Sequence, residues 1–466
     1  MATKTNFVYI VVLVLAIIVA GIAGYFIGRG GAPSAQPVTT SITIEKTVTI
    51  ELTKTATVTY LPTLTTYTTL SPTPTTTTPT SGVEVYKIGA LLPLSGQLAS
   101  FGAELKTILE YVEQEINSYL QSQGKNWRID IIIEDTAIDP KTHLEKLMSL
   151  HAAGVKMFIG GVSSVELGEA LSYCNSKGIL IVSPSSTSPA LALPDMALRY
   201  APPDHAQGVA IARILWERGA RWLIVMWRHD TWGDGLADAT IKSFDKICKA
   251  SGESCGIVER IPYDPNAKEF SLEVSQLASI VEDATKKYGK DKIGIALISF
   301  GEAEAVFAAA KNYPILSEVK WQGSDGTANI VELLNPGIVD MVVKVGFYST
   351  MASPELTEKA DVVKKVIREK LGRDPMGYTY FAYDIAWTLA LAIDRAGKYD
   401  PIAVKEALNE VLKEYTGASG KVILDENGDR VPLRYDIWAI VKVGDKYEWK
   451  VVGSYDVLKD RIQWSS

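Results

Sequence analysis

VKMFIGGVSS (155–164) and GILIVSPSSTSPAL (178–191) decide the fold. Each begins with a short apolar run, 155–159 and 179–182, that breaks into glycine, serine and threonine. Between the two runs, a helix is expected from about 164 to 177, ending at Gly178. Glycine at that place suits the left-handed residue that closes a helix. A strand, a helix and a second strand in so short a span predict two parallel strands, because only a crossover element returns the chain to start a parallel neighbour.

The same unit repeats on both sides. Upstream, residues 86–92 read as a strand, and Leu105, Ile108, Leu109, Val112, Ile116 and Leu120 recur at helical spacing. IDIIIE (129–134) is the next strand, and Leu144, Leu147 and Met148 mark another helix. Downstream, a second set begins at Asp204 with a helix to Glu217 and strand RWLIVMW (221–227). A helix from about 234 to 250 and a strand near 257–260 follow, then a helix from about 269 to 288, strand 293–299, a helix over 302–312 and strand 319–322. Two sets of alternating units predict an α/β chain with two Rossmann-like lobes, each a parallel sheet with helices on both faces. The chain then adds helices at about 355–371, 376–396 and 401–414 and a β-rich segment, 419–457, with a turn at Asn427-Gly428. This ending predicts that the chain returns to complete both lobes.

Ahead of the lobes, FVYIVVLVLAIIVAGIAGYFI (7–27) has no charged residue and is long enough to cross a bilayer as a helix. Residues 1–30 are expected to be a transmembrane signal anchor, with cleavage near Ala32–Ala35 as the alternative. Residues 31–82 follow as a stalk: 20 of the 42 residues from Thr39 to Thr80 are threonine, too polar a run to bury a core. An anchor and a spacer predict a globular part held outside the cell membrane.

The net charge of −7 comes without a basic stripe, which excludes nucleic acid as a partner. Cys174, Cys248 and Cys255 make no CxxC pair, and four histidines offer no metal-binding spacing, so no metal and no cofactor is expected. Cys248 and Cys255 read equally as a local disulfide and as unpaired thiols. GxSxG, HExxH and GxxxxGK[ST] are all absent, which argues for a binding protein and against an enzyme.

In parallel sheets, ligands bind beyond the carboxyl ends of the strands. The residues there divide by chemistry. The first lobe offers Phe101, Ser163, Ser164, Ser185 and Thr187, mostly hydroxyls near helix N-termini that suit a carboxylate. The second offers Trp232 and two acids, Glu302 and Asp325, that suit an ammonium group. Serine and threonine at such places also serve as ordinary helix caps. Together the two sets describe a receptor for an amino-acid head group.

IGALLPLSGQLASFG (88–102), EDTAIDP (134–140), the opening pair of segments, HDTWGDGL (229–236), WQGSDGTAN (321–329) and GKVILDENGDR (420–430) occur in an order that resembles the leucine/isoleucine/valine-binding protein family of ABC importers. The resemblance covers about 86–455. It implies the periplasmic binding protein type I fold, with three hinge crossovers near 200–205, 345–350 and 435–440. The lobes would be 83–204 plus 349–436 and 205–348 plus 437–466. It also implies ABC permease subunits as partners. Ser164 and Thr187 would bind the ligand carboxylate, the main chain near Ser185 and the Asp325 side chain would bind its ammonium, and Phe101 and Trp232 would wall the side-chain pocket. Near Glu302 the sequence lacks a tyrosine-rich stretch of branched-chain members, and it has aspartate at 325 where they often have glutamate. Amides and urea-like ligands, or a sensing ectodomain working with a partner chain, are therefore the alternatives.

Overall fold

The computed structural model describes residues 82–355 and 357–465. The expected anchor, and the stalk up to residue 81, lie outside them. Among the described residues no helix is long and apolar enough to cross a membrane.

The first sheet holds β1 (Glu84–Leu92), β2 (Trp127–Asp135), β3 (Met157–Ile159), β4 (Leu180–Ser183) and β5 (Ala197–Arg199) in the order β2-β1-β3-β4-β5, all parallel. Helices α1 (Ala99–Ser122), α2 (Pro140–Ala152) and α3 (Ser164–Lys177) connect the first four strands. The apolar stripe of α1 named above, Leu105 to Leu120, is fully buried. Gly178 closes α3 with φ 63°, the left-handed conformation expected of it.

After α4 (Asp204–Glu217) the second sheet begins with β6 (Trp222–Arg228), β7 (Gly256–Tyr263), β8 (Ile293–Ile298), β9 (Lys320–Gln322) and β10 (Tyr348–Ala352). Their order is β7-β6-β8-β9-β10, which repeats the first sheet. Helices α5 (Thr231–Ser251), α6 (Ser271–Tyr288), α7 (Ala303–Ala310) and α8 (Val339–Lys344) link them. In each sheet the order reverses beside the first strand, between β1 and β3 and between β6 and β8. A reversal of this kind opens a crevice at the carboxyl ends of the strands.

Helices α9 (Glu358–Leu371), α10 (Gly377–Ala396) and α11 (Pro401–Glu414) belong to the first lobe, where α9 and α10 pack on α1. A short ladder of β11 (Thr416–Gly417) and β12 (Gly420–Lys421) follows. The chain then re-enters the second sheet as β13 (Arg434–Val443), β14 (Lys446–Asp456) and β15 (Arg461–Trp464), antiparallel and added beside β10.

The last two crossings differ from the sequence-based boundaries. All of β10 and all of β13 lie in the second sheet, so the chain crosses after Ala352 and again before Arg434, not at 345–350 and 435–440. An apolar run shows that a strand exists. It does not show which of two sheets supplies its neighbour. Cys248 and Cys255 form a disulfide, Cα atoms 5.8 Å apart, between the end of α5 and the start of β7; Cys174 is free and buried.

One buried ion pair holds the first crossing. Arg199 at the end of β5 meets Asp429 through two bonds of 2.6 and 2.5 Å and donates to the Ser188 carbonyl at 2.6 Å. Both side chains are almost wholly enclosed. Removing one partner leaves the other charge buried alone, so Asp429→Ala should cost about 3–5 kcal/mol in urea unfolding. A loss below about 1 kcal/mol would put this pair among solvent-screened surface pairs.

Candidate ligand-binding site

The loop after β1 is fixed by Asp135 at the end of β2. Its carboxylate accepts from the amides of Leu94 (2.9 Å) and Ser95 (3.2 Å) and from the Ser95 hydroxyl (2.7 Å). That hold leads the chain into α1 and places Phe101, 2% exposed, in the cleft.

The loops after β3 and β4 form one hydroxyl-rich wall. Ser163 caps α3 in a reciprocal arrangement with Glu166. The Ser164 oxygen accepts from the amides of Thr187 (3.2 Å) and Ser188 (3.1 Å) and from the Ser186 hydroxyl (3.0 Å). A hydroxyl oxygen has two lone pairs, so these contacts leave Ser164 no spare acceptor capacity. The Ser185 hydroxyl donates to the Val162 carbonyl at 2.7 Å.

The facing wall is aromatic and acidic. Asp230 caps α5 by accepting from the amides of Trp232 (3.1 Å) and Gly233 (2.8 Å). Only glycine fits at 233, where a Cβ would lie 1.9 Å from the Arg228 carbonyl oxygen. The Trp232 ring stacks on Phe300 with centroids 4.5 Å apart, and the Arg228 guanidinium lies 4.0 Å from the Phe300 centroid. Asp325, just after β9, accepts from Gln207 Nε2 at 3.0 Å and from the Tyr378 hydroxyl. Burial pushes the Asp325 carboxyl up to about 6, against the opposing pull of those two hydrogen bonds.

Six of the eight residues named from sequence line one cavity: Phe101, Ser163, Ser164, Ser185, Trp232 and Asp325, joined by Leu98, Val162, Phe300, Gly326 and Tyr378. Thr187 and Glu302 do not line it. Thr187 stands behind Ser164 with its amide engaged there. Glu302 lies beyond the Phe300 ring, where it pairs with Arg228 at 2.7 Å and accepts from the Tyr263 hydroxyl at 3.0 Å. A buried arginine there needs counter-charge, and Glu302 supplies it.

Tyr378 was not legible as a site residue, because it opens a helix that no strand precedes. Phe300 sits directly after a strand, the position that the strand-end rule singles out, yet it reads there as packing.

The lobes touch directly. Gln97 Oε1 accepts from Arg228 at 2.9 Å, Gln97 Nε2 donates to the Pro265 carbonyl at 3.2 Å, and the Ser188 hydroxyl donates to the Thr231 carbonyl at 2.7 Å. The cavity between them has a free volume of about 10 Å³. That is room for roughly one water, so any larger molecule needs the lobes to part. Among the described residues no group of His, Cys, Asp and Glu is placed to hold a metal ion.

The family model described as "Receptor family ligand binding region" matches residues 109–442. The chain belongs to this family. An uncharacterized protein of Methanocaldococcus jannaschii is 34% identical over 413 residues, 84% of this chain and 94% of that one. A Leu/Ile/Val-binding protein homolog of Brucella abortus is 25% identical over 349 residues, 73% of this chain and 86% of that one. Among solved structures, a leucine binding protein of Thermotoga maritima superposes with a TM-score of 0.63 at 20% identity, covering 78% of this chain and 97% of that one. The fold is that of a periplasmic binding protein of type I, in the leucine/isoleucine/valine-binding family. The chain is a substrate-binding protein of the ABC-transporter type, and the members of its family are binding proteins rather than enzymes.

In this binding protein the Tyr378 hydroxyl stabilises ionised Asp325. Tyr378→Phe removes that donor, so the Asp325 carboxyl should titrate above about 6. Carboxyl-carbon NMR would report the rise, and an unmoved titration would mean that Tyr378 does not bond to Asp325 in solution.

Proposed function

We propose that this protein delivers a small amino-acid-like ligand to an ABC importer, with its two lobes held outside the cell by an N-terminal anchor. The observation that carries the reading is the pairing of unlike walls in one cavity: hydroxyls on one side, a carboxylate and aromatic rings on the other. A zwitterionic head group matches both. In this reading the Ser164 hydroxyl meets the ligand carboxylate, and Thr187 orients Ser164 through its amide. Main-chain acceptors near Ser185 and the Asp325 carboxylate take the ammonium. Phe101 and Trp232 cover the ligand's side chain. Opening about the three crossings admits the ligand, and closure forms the surface that permease subunits read. The charge-free run at 7–27 and the threonine-rich stalk support the tethered, extracellular placement.

A second reading, a small amide or urea-like ligand, is favoured by the aspartate at 325 and by the absence near Glu302 of the tyrosine-rich stretch of branched-chain members. Such a molecule donates N–H groups to Asp325 without bringing a carboxylate.

Thermal-shift measurements on the full-length protein with amino acids, amides, urea and benzoates separate these readings. A bound ligand at about 100 times its Kd stabilises the fold by about 2.7 kcal/mol. Asp325→Ala is expected to weaken amino-acid binding by about 2–5 kcal/mol, because the buried ammonium loses its partner. Unchanged affinity in that variant would remove Asp325 from the site.

A further inference from the structure

Behind Asp325 lies a second acid that the proposed function does not use. Asp204 opens α4 and is 0% exposed, and Asp325 is 4% exposed. Neither Asp204 oxygen has a hydrogen-bond partner, and the Thr187 hydroxyl and Gln207 Oε1 are equally unpartnered. The carboxylate and amide oxygens only accept; the hydroxyls of Thr187 and of Tyr435, which is also unpartnered, are the donors nearby.

No cation compensates them. Arg199 is near enough to be felt, but its guanidinium is committed to Asp429 and the Ser188 carbonyl. The other groups that face the pair are Tyr378 from α10 and Tyr435 from β13, neither of which carries positive charge. Gln207 from α4 and Thr187 from the loop after β4 are neutral. Two buried carboxylates without a cation cannot both stay ionised. Asp325 accepts two formed hydrogen bonds that favour its anion, whereas neither Asp204 oxygen accepts one and the neighbouring Thr187 hydroxyl opposes the effect of burial only in part.

We propose that the two acids hold one proton, seated on Asp204, so that the acid wall meets its ligand with a single negative charge and selects a monocationic head group. Burial first, and nearby Asp325 second, push the Asp204 carboxyl well above the usual carboxylate range, in line with this geometry. As a consequence the site becomes neutral in mild acid. Below about 6, Asp325 takes a second proton and the attraction for a cation is lost. Affinity therefore rises with pH through that range and falls as pH drops. The selectivity rests on the amino-acid reading above; the proton itself does not.

The test uses full-length protein and D204N, which replaces a neutral acid with a neutral group of the same shape. Near neutral pH, the infrared spectrum of ligand-free wild type should contain the C=O stretch of a protonated carboxyl group that D204N lacks. Identical bands, or a difference confined to the ionised-carboxylate region, would overturn the proposal. So would a D204N chain that fails to fold, since a neutral isostere must be tolerated there. Calorimetry with L-leucine as the probe is the second arm. D204N should bind within about fivefold of wild type near neutral pH. A loss of about 30-fold or more is what removal of a buried charged partner produces, and it would overturn the neutral state of Asp204. If L-leucine fails to bind wild type, leucine is excluded as the ligand, and the infrared difference alone still decides where the proton sits.

Discussion

The Asp325 carboxylate is gripped from two directions. Gln207 donates from α4 of the second lobe, and Tyr378 donates from α10 of the first. Such an anion is tolerable in the interior only while hydrogen bonds compensate for lost water. Tyr378 and Asp325 belong to different lobes, so parting the lobes would take the Tyr378 donor away and expose the carboxylate to solvent. Under the proposed function, a ligand that supplies a donor acts on closure directly through this carboxylate.

The opposite wall works through polarity without formal charge. Ser164 gathers three donors on one oxygen, which fixes the loop after β4 against the start of α3. Ser163 and Glu166 complete the end of that helix. The hydroxyls thus fix the loops and line the cavity at once. Their cap function makes the wall rigid before anything binds, which lowers the ordering cost of recognition.

A third set of charges belongs to closure. Arg228 stacks on Phe300, pairs with Asp230 and Glu302, and reaches Gln97 across the cleft. Sequence reading places Glu302 in the pocket because it follows a strand. The buried arginine that claims it, however, is 74 residues away in the chain. Position after a strand shows that a residue is near the cleft; it does not show whether its charge is already neutralised. Trp232 and Phe300, by contrast, form one stacked surface from two such loops, only one of which reads as ligand-facing.

The sequence alone determined the elements. Apolar spacing in α1, the glycine behind α3 and the short runs that became β3, β4, β6 and β8 are local signals, set by side-chain periodicity and backbone conformation. The alternation of strand and helix then dictates parallel sheets, and parallel sheets put their loops at one edge. Tertiary structure decided what no local pattern carries: that β10 joins the second sheet, that Tyr378 comes into the cavity from a helix N-terminus, and that Asp204 lies behind Asp325. The reason is physical. Strand partners and buried charge partners are chosen by packing and solvation between segments that lie tens of residues to more than a hundred residues apart, so the identity of a partner is written nowhere near the residue that needs it.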